Sequence, residues 1–334
     1  MVLRIALCQV TDVTDELASF GRSLGVNSIN VTFPAIPYER GYWEVSDLVA
    51  LRERCESRGL TLEVIENVPH ETLHPIVRGL PHRDEALNNF AQTIRNVAAA
   101  GIPMLGFHFM PNGVWRTTMT APARGGATAS AYNDSLVHLG NKSGWPHEDT
   151  GWDGDPRRLV ITHEQMWDNY RYFLDRILPV ADEVGLRLAQ HPDDPPVAQI
   201  DGIARIFTSP DAYARALEMA GESPSWGINL CLGTVSEMKG ASSVHEMIER
   251  FGPLDRIRYV HLRDVKGTVP SFTECFLGEG NYDPHEVIKH LLRVGFDGWL
   301  QDDHVPQIVG DTSYSHQARA HEIGYMQGIL STLA

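Results

Sequence analysis

The sequence predicts an α/β fold, a (β/α)8 TIM barrel with a long loop insertion after its fourth strand. Three observations carry this expectation. Eight short apolar runs recur along the 334 residues, segments of helical periodicity fill most gaps between them, and the chemically unusual residues gather at the ends of the last four runs.

The runs are residues 3–8 (LRIALC), 28–33 (SINVTF), 60–68 (LTLEVIENV), 102–110 (IPMLGFHFM), 186–191 (LRLAQH), 226–231 (WGINLC), 257–262 (IRYVHL) and 298–304 (GWLQDDH). Their apolar character is nearly continuous, as in strands of a parallel sheet covered on both faces. Eight repeats favour a closed barrel over an open doubly wound sheet. The spacing predicts helices over 45–59 (Leu48, Leu51, Cys55), 83–101 (Leu87, Phe90, Ile94, Val97), 163–185 (Trp167, Tyr170, Phe173, Leu174, Ile177) and 283–295 (Val287, Ile288, Leu291, Leu292). Residues 313–334 read as a closing helix. Two stretches break the rhythm. Residues 111–162 are polar and Gly-rich and exceed an ordinary strand-to-helix connection, so an extended loop or lid is expected there. Residues 264–282 read as a shorter irregular segment. The whole chain, 1–334, reads as one barrel domain carrying the 111–162 insertion.

Composition narrows the function. Lys and Arg total 28 against 43 Asp and Glu, a formal net charge of −15. Such a surface repels nucleic-acid backbones and anionic membranes, and an anionic small substrate needs a cation and local basic groups to be held. Cys8, Cys55, Cys231 and Cys275 fit neither a dense disulfide framework nor a paired zinc motif. The start of the sequence shows no signal-peptide pattern and no run is long enough for a membrane span, so a cytoplasmic protein with reduced thiols is expected.

His191 ends the fifth run, Cys231 the sixth, His261 lies near the end of the seventh, and Asp302, Asp303 and His304 end the eighth. In a (β/α)8 barrel these ends converge on the face where active sites form. Imidazole and thiolate suit zinc or another divalent transition metal, and a carboxylate widens the choice toward iron or manganese. Taken singly, each residue has a plainer reading: a buried thiol is a small core residue, a strand-end histidine bonds locally, and HPDDPP at 191–196 is a rigid turn. The joint pattern favours a metal. Neighbouring strand residues point oppositely, so one aspartate of the pair is expected at the metal, and Asp303 is the choice. Asp193 and Asp194 are placed to orient His191 or to supply an acid–base group.

The chain resembles the mannonate dehydratase family of metal-dependent barrel enzymes. The likeness runs through ENVPHE at 66–71, GFHFMPNGVWRTTMT at 106–120, AQHPDDPP at 189–196, NLCLGT at 229–234, YVHLRDVK at 259–266 and the block at 276–304. It implies metal ligands at His191, Cys231, His261 and Asp303, with manganese first and iron, cobalt or zinc as alternatives. It implies catalytic roles for His304, Tyr314 and Asp194, and substrate contacts at Arg116, His108 and Arg263. It also implies self-association into a homo-oligomer. Three departures stand out. The family's Asp-His-Gly-Arg run is here Asp303, His304, Val305 and Pro306. The opening block IALCQV lacks the family's aromatic residues, and His108 replaces a more familiar asparagine.

The resemblance implies dehydration of D-mannonate, or a related sugar acid, to 2-keto-3-deoxy-D-gluconate. A base removes the C2 proton and an acid assists loss of the C3 hydroxyl. His304 and Tyr314 are the candidates, with Asp194 in support, and Arg116 is the candidate grip on the substrate carboxylate. A tyrosine needs its usual pKa lowered before it can serve as a base. The alternatives are a metal-dependent sugar isomerase or epimerase, and a non-enzymatic binding protein. The GxGxxG signature of a dinucleotide enzyme does not follow the first run.

Overall fold

The computed structural model describes residues 3–144 and 160–333; part of the expected lid, 145–159, lies outside the described residues. Eight parallel strands close into a barrel: β1 (Arg4–Val10), β2 (Ser28–Thr32), β3 (Thr61–Glu66), β4 (Met104–Phe107), β5 (Arg187–Gln190), β6 (Ile228–Cys231), β7 (Ile257–His261) and β8 (Trp299–Gln301). Each pairs with its neighbours in sequence, and β1 pairs with β8 through Arg4 and Trp299 to complete the ring. All eight coincide with the apolar runs, because strands covered by helices outside and by packed side chains inside turn no face to water.

The predicted helices form as Val45–Glu56, Arg83–Ala99, His163–Val184, Pro284–Arg293 and His316–Leu333. His163–Val184 has strong end signals: Thr162 and Gln165 make a reciprocal capping box, and Gly185 closes it at φ 70. Its buried face carries Tyr170 and Phe173, which pack on Phe109 and Phe107 at ring separations of 4.9 and 5.3 Å, so burial against the sheet accounts for the aromatic stripe. Further helices at Asp15–Ser23, His70–Val77, Pro210–Ala220, Leu232–Lys239 and Ala241–Phe251 complete the outer layer.

Inside the barrel, Ala6, Val64, Met104, Ala189, Tyr259 and Trp299 form one apolar plug, with Tyr259 stacked on Trp299 at 5.2 Å. Polar Asn30, Gln190, Asn229 and Gln301 are also buried. The barrel floor is therefore filled, and the C-terminal mouth is left for chemistry.

The described part of the insertion is not a shapeless loop. Thr118–Pro122 and Thr128–Asn133 form a hairpin turning at Gly125 and Gly126, and the supposedly irregular 264–282 stretch contributes a second, Asp264–Thr268 with Ser271–Cys275. The two join in a four-stranded antiparallel sheet through pairs such as Phe272 with Tyr132. Trp115, Tyr132, Ile200, Val265 and Phe272 pack together in a small core. Short Thr- and Ala-rich strands with one wet face lack the apolar continuity that marks the barrel strands. Among the described residues, no helix is long and apolar enough to cross a membrane.

Candidate metal centre

The strand register brings the donors together. Cys231 at the end of β6 lies directly opposite His261 at the end of β7, and His261 opposite Gln301 at the end of β8. His191 follows β5 immediately. One donor atom from each of His191, Cys231 and His261 lies within 4.8 Å of the others, which forms a site for a divalent metal. Asp303, two residues beyond Gln301, brings Oδ2 to 3.6 Å from His261 Nδ1 and 3.7 Å from Cys231 Sγ. Asp302 turns away to Arg319, with 2.6 Å between Oδ2 and Nη1.

Both imidazoles present a nitrogen to this centre because their other nitrogen is taken. His191 Nδ1 donates to the Pro192 carbonyl at 2.7 Å, leaving Nε2 as a lone-pair donor. His261 Nε2 donates to Glu66 Oε1 at 2.8 Å. Its Nδ1 is buried and makes no hydrogen bond of good geometry among the described residues. An imidazole nitrogen left in that state beside a thiol and a carboxylate fits a shared cation. Burial disfavours charge on His261, yet Glu66 and Asp303 hold its pKa well above the usual histidine range, so this point strongly attracts positive charge. Burial alone pushes the Cys231 thiol up, but the Arg263 guanidinium and the adjoining His191 and His261 rings bring it well below the usual range. The thiolate is the form that binds metals.

Glu66, at the end of β3, anchors this side of the pocket. It accepts from Tyr259 Oη at 2.7 Å and Asn229 Nδ2 at 3.2 Å as well as from His261, and its second oxygen accepts from Thr32 Oγ1 at 3.1 Å. Gly106 makes room for this: a Cβ there would stand 2.6 Å from Tyr259 Oη. Gly233 likewise leaves the space that the Arg263 side chain fills.

Behind the donors lies a buried charge network. Arg263 contacts Asp194 at 3.0 Å, Glu237 at 3.1 Å, Glu274 at 2.5 Å and Asp303 at 3.3 Å, and donates to Thr234 Oγ1 at 2.7 Å. Arg116 binds Asp194 through both terminal nitrogens and also reaches Glu274 at 2.8 Å and Ser130 Oγ at 3.0 Å. The sequence reading made Arg116 a grip for the substrate carboxylate; its donors here engage protein acceptors. Burial would raise Asp194, but Arg116 and Arg263 depress it strongly, so it stays ionised. Glu237 goes the other way: burial, with Asp194 close by, pushes it well above the carboxylate range.

His304 faces the pocket with its side chain 29% exposed; Nδ1 donates to Glu274 Oε1 at 2.8 Å and Nε2 lies 4.0 Å from Asp303 Oδ1. Burial disfavours its charge, but Glu274 and Asp303 outweigh this and raise its pKa. His108 lines the same pocket, and its Nδ1 accepts from Met110 N at 3.2 Å, which leaves the proton on Nε2. Burial, together with His70 and His74, keeps it neutral. Tyr314 stands beyond His304, in an adjoining cavity of about 550 Å³ that Gln9, Val114 and His304 share with the metal pocket. Its hydroxyl donates to the Cys8 carbonyl at 3.0 Å, and burial pushes its pKa well above the usual value.

The sequence reading missed Glu274, Glu237 and Gln9, and gave Glu66 no role although ENVPHE was in view. Glu274 lies in a stretch taken as irregular, and its pairing with the 128–133 strand is a long-range event that no local pattern announces.

A model of the D-mannonate dehydratase (UxuA) family matches residues 12–334. Mannonate dehydratase 2 of Halalkalibacterium halodurans is 36% identical over 307 residues, 86% of this chain and 87% of that protein. Mannonate dehydratase of Streptococcus agalactiae serotype III is 34% identical over 305 residues, 86% of each chain. The crystal structure of mannonate dehydratase from Streptococcus suis serotype 2 superposes with a TM-score of 0.84 at 28% identity, covering 99% of this chain and 95% of that one.

Proposed function

Because the chain belongs to the D-mannonate dehydratase family, we propose that it removes water from D-mannonate or a closely related sugar acid, giving a 2-keto-3-deoxy acid. The observation that carries this reading is the convergence of His191, Cys231 and His261 at three successive strand ends. The donor set suits a divalent metal, with manganese the first choice, and Asp303 is its fourth protein ligand. When bound, such an ion supplies Lewis acidity toward the carboxylate and hydroxyl oxygens of the substrate.

The protein's own groups carry the proton transfers. His304 is the group that takes the C2 proton: Nδ1 is fixed on Glu274, and the ring is exposed to the pocket on its other side. Tyr314, whose hydroxyl donates to the Cys8 carbonyl, is the group that would protonate the departing C3 hydroxyl. Asp194, ionised and clamped, holds Arg116 and Arg263 in place behind the pocket. His108 lines the pocket as a candidate substrate contact.

The test is product formation from D-mannonate by metal-stripped protein, with manganese restored and Cys231→Ala as control. A 2-keto-3-deoxy acid formed only by the restored wild type supports the reading. Product of unchanged mass indicates an isomerase, and no reaction despite manganese binding rejects D-mannonate as the substrate.

A further inference from the structure

The C-terminal helix reaches the metal pocket through one arginine. Arg319, in the first turn of His316–Leu333, is buried and sends its three nitrogens to three partners. Nη1 donates to Asp302 Oδ2 at 2.6 Å, Nη2 to Gln9 Oε1 at 2.8 Å and Nε to the Tyr314 carbonyl at 2.9 Å. Gln9 passes the contact on, donating from Nε2 to Asp303 Oδ1 at 2.9 Å. A primary amide has one accepting and one donating end of nearly equal shape. A guanidinium only donates, so it fixes the Gln9 oxygen toward Arg319 and turns the NH2 to Asp303.

The backbone is bent to allow this. Gln9 sits at φ 56, in the left-handed region, where the β1–β2 register shifts between Leu7 and Val10.

We propose that Arg319 and Gln9 are positioning residues acting in series on Asp303, holding Oδ1 so that Oδ2 is directed at the space between His261 and Cys231. The inference rests on the metal reading above. By holding the Tyr314 carbonyl and lying 4.5 Å from the centre of its ring, Arg319 also ties that side chain to the same support.

The experiment is a manganese titration of the full-length protein, read by the electron paramagnetic resonance signal of free Mn2+, with thermal unfolding recorded on each sample. Gln9→Leu removes the donor at similar volume. Arg319→Lys keeps a cation for Asp302 but cannot serve Asp302 and Gln9 together. Each is expected to weaken manganese binding by about tenfold, the lower end of the range for groups that orient metal ligands. The double variant is expected to bind no more weakly than the worse single, because the two act through one link. Dissociation constants within about twofold of wild type in both singles, or losses that multiply in the double, overturn the proposal. Failure of the wild type to bind manganese overturns the metal reading as well. Should Arg319→Lys not fold, Gln9→Leu decides alone, because Gln9 is exposed at the pocket rim and its replacement leaves the Arg319–Asp302 pair intact.

Discussion

Arg116 and Asp194 face each other through two parallel hydrogen bonds, Nη1 to Oδ1 at 2.6 Å and Nη2 to Oδ2 at 2.8 Å, with at most 1% of either side chain exposed. This pair fastens the insertion after β4 to the loop that follows His191. Arg116→Met leaves Asp194 with Arg263 alone and Glu274 with Arg263 and His304. Removing one partner of a buried pair costs about 3–5 kcal/mol. The expected outcome is destabilisation of that size in denaturant unfolding, with catalytic turnover lost even where manganese still binds. A variant as stable and active as wild type would show that the clamp is dispensable.

Glu274 Oε1 is the meeting point of three donors: Arg116 at 2.8 Å, Arg263 at 2.5 Å and His304 at 2.8 Å. Burial tends to raise its pKa, but these neighbours hold it well below the usual range, so the carboxylate is charged where His304 meets it. That charge keeps the protonated form of His304 in place to higher pH than an ordinary histidine. Glu274→Gln removes the charge and keeps the shape, so the pKa of His304 falls. Whichever limb of the pH–rate profile His304 governs is expected to move to lower pH. An unshifted profile would separate His304 from that limb.

The legible and illegible parts of the site differ in how they are built. His191, Cys231, His261 and Asp303 each follow an apolar run, and closing eight such runs into a barrel brings their ends together. Strand alternation also separates Asp303, beside Cys231, from Asp302, which turns to Arg319. The residues around them carry no comparable mark. Glu274 reaches His304 because two hairpins, 118–133 and 264–275, pair across a sequence separation of 138 residues from Asn133 to Ser271. Gln9 reaches Asp303 only because the backbone of β1 turns to positive φ. Helices such as Asp15–Ser23 were missed for a simpler reason: the segment buries only Leu17, Ala18 and Gly21, too few apolar residues to register as a stripe.

In the proposed mechanism His304 serves proton transfer and not metal binding. Its Nε2 lies 4.0 Å from Asp303 Oδ1, close enough to share the pocket but beyond a hydrogen bond. His304→Asn is expected to lower kcat by about a hundredfold or more, within the range for a positioned acid–base group. Manganese affinity should change by less than about threefold. Measuring both on one preparation tests the assignment, and a parallel loss of manganese would make His304 part of the metal's support instead.

Gly106 offers the most indirect route to the metal. It lies on β4, and a Cβ at this position would come within 2.6 Å of Tyr259 Oη and 3.5 Å of Glu66 Cα. Tyr259 is fully buried and stacked on Trp299, so its ring has no free direction in which to retreat. Gly106→Ala must therefore displace the hydroxyl from Glu66, and overpacking of this kind costs about 1–3 kcal/mol. The consequence reaches further than stability. Glu66 Oε1 receives Tyr259 at 2.7 Å and His261 at 2.8 Å on the same oxygen, so a shifted Tyr259 moves the carboxylate that fixes the imidazole. Gly106→Ala is expected to lower both the thermal midpoint and manganese affinity. Tyr259→Phe removes the hydroxyl and, with it, the clash. Placed on the Gly106→Ala background, it should restore most of the stability, while manganese binding stays weaker than in the wild type because Glu66 has lost one of its donors. Full recovery of both would show that Tyr259 fills space without orienting Glu66.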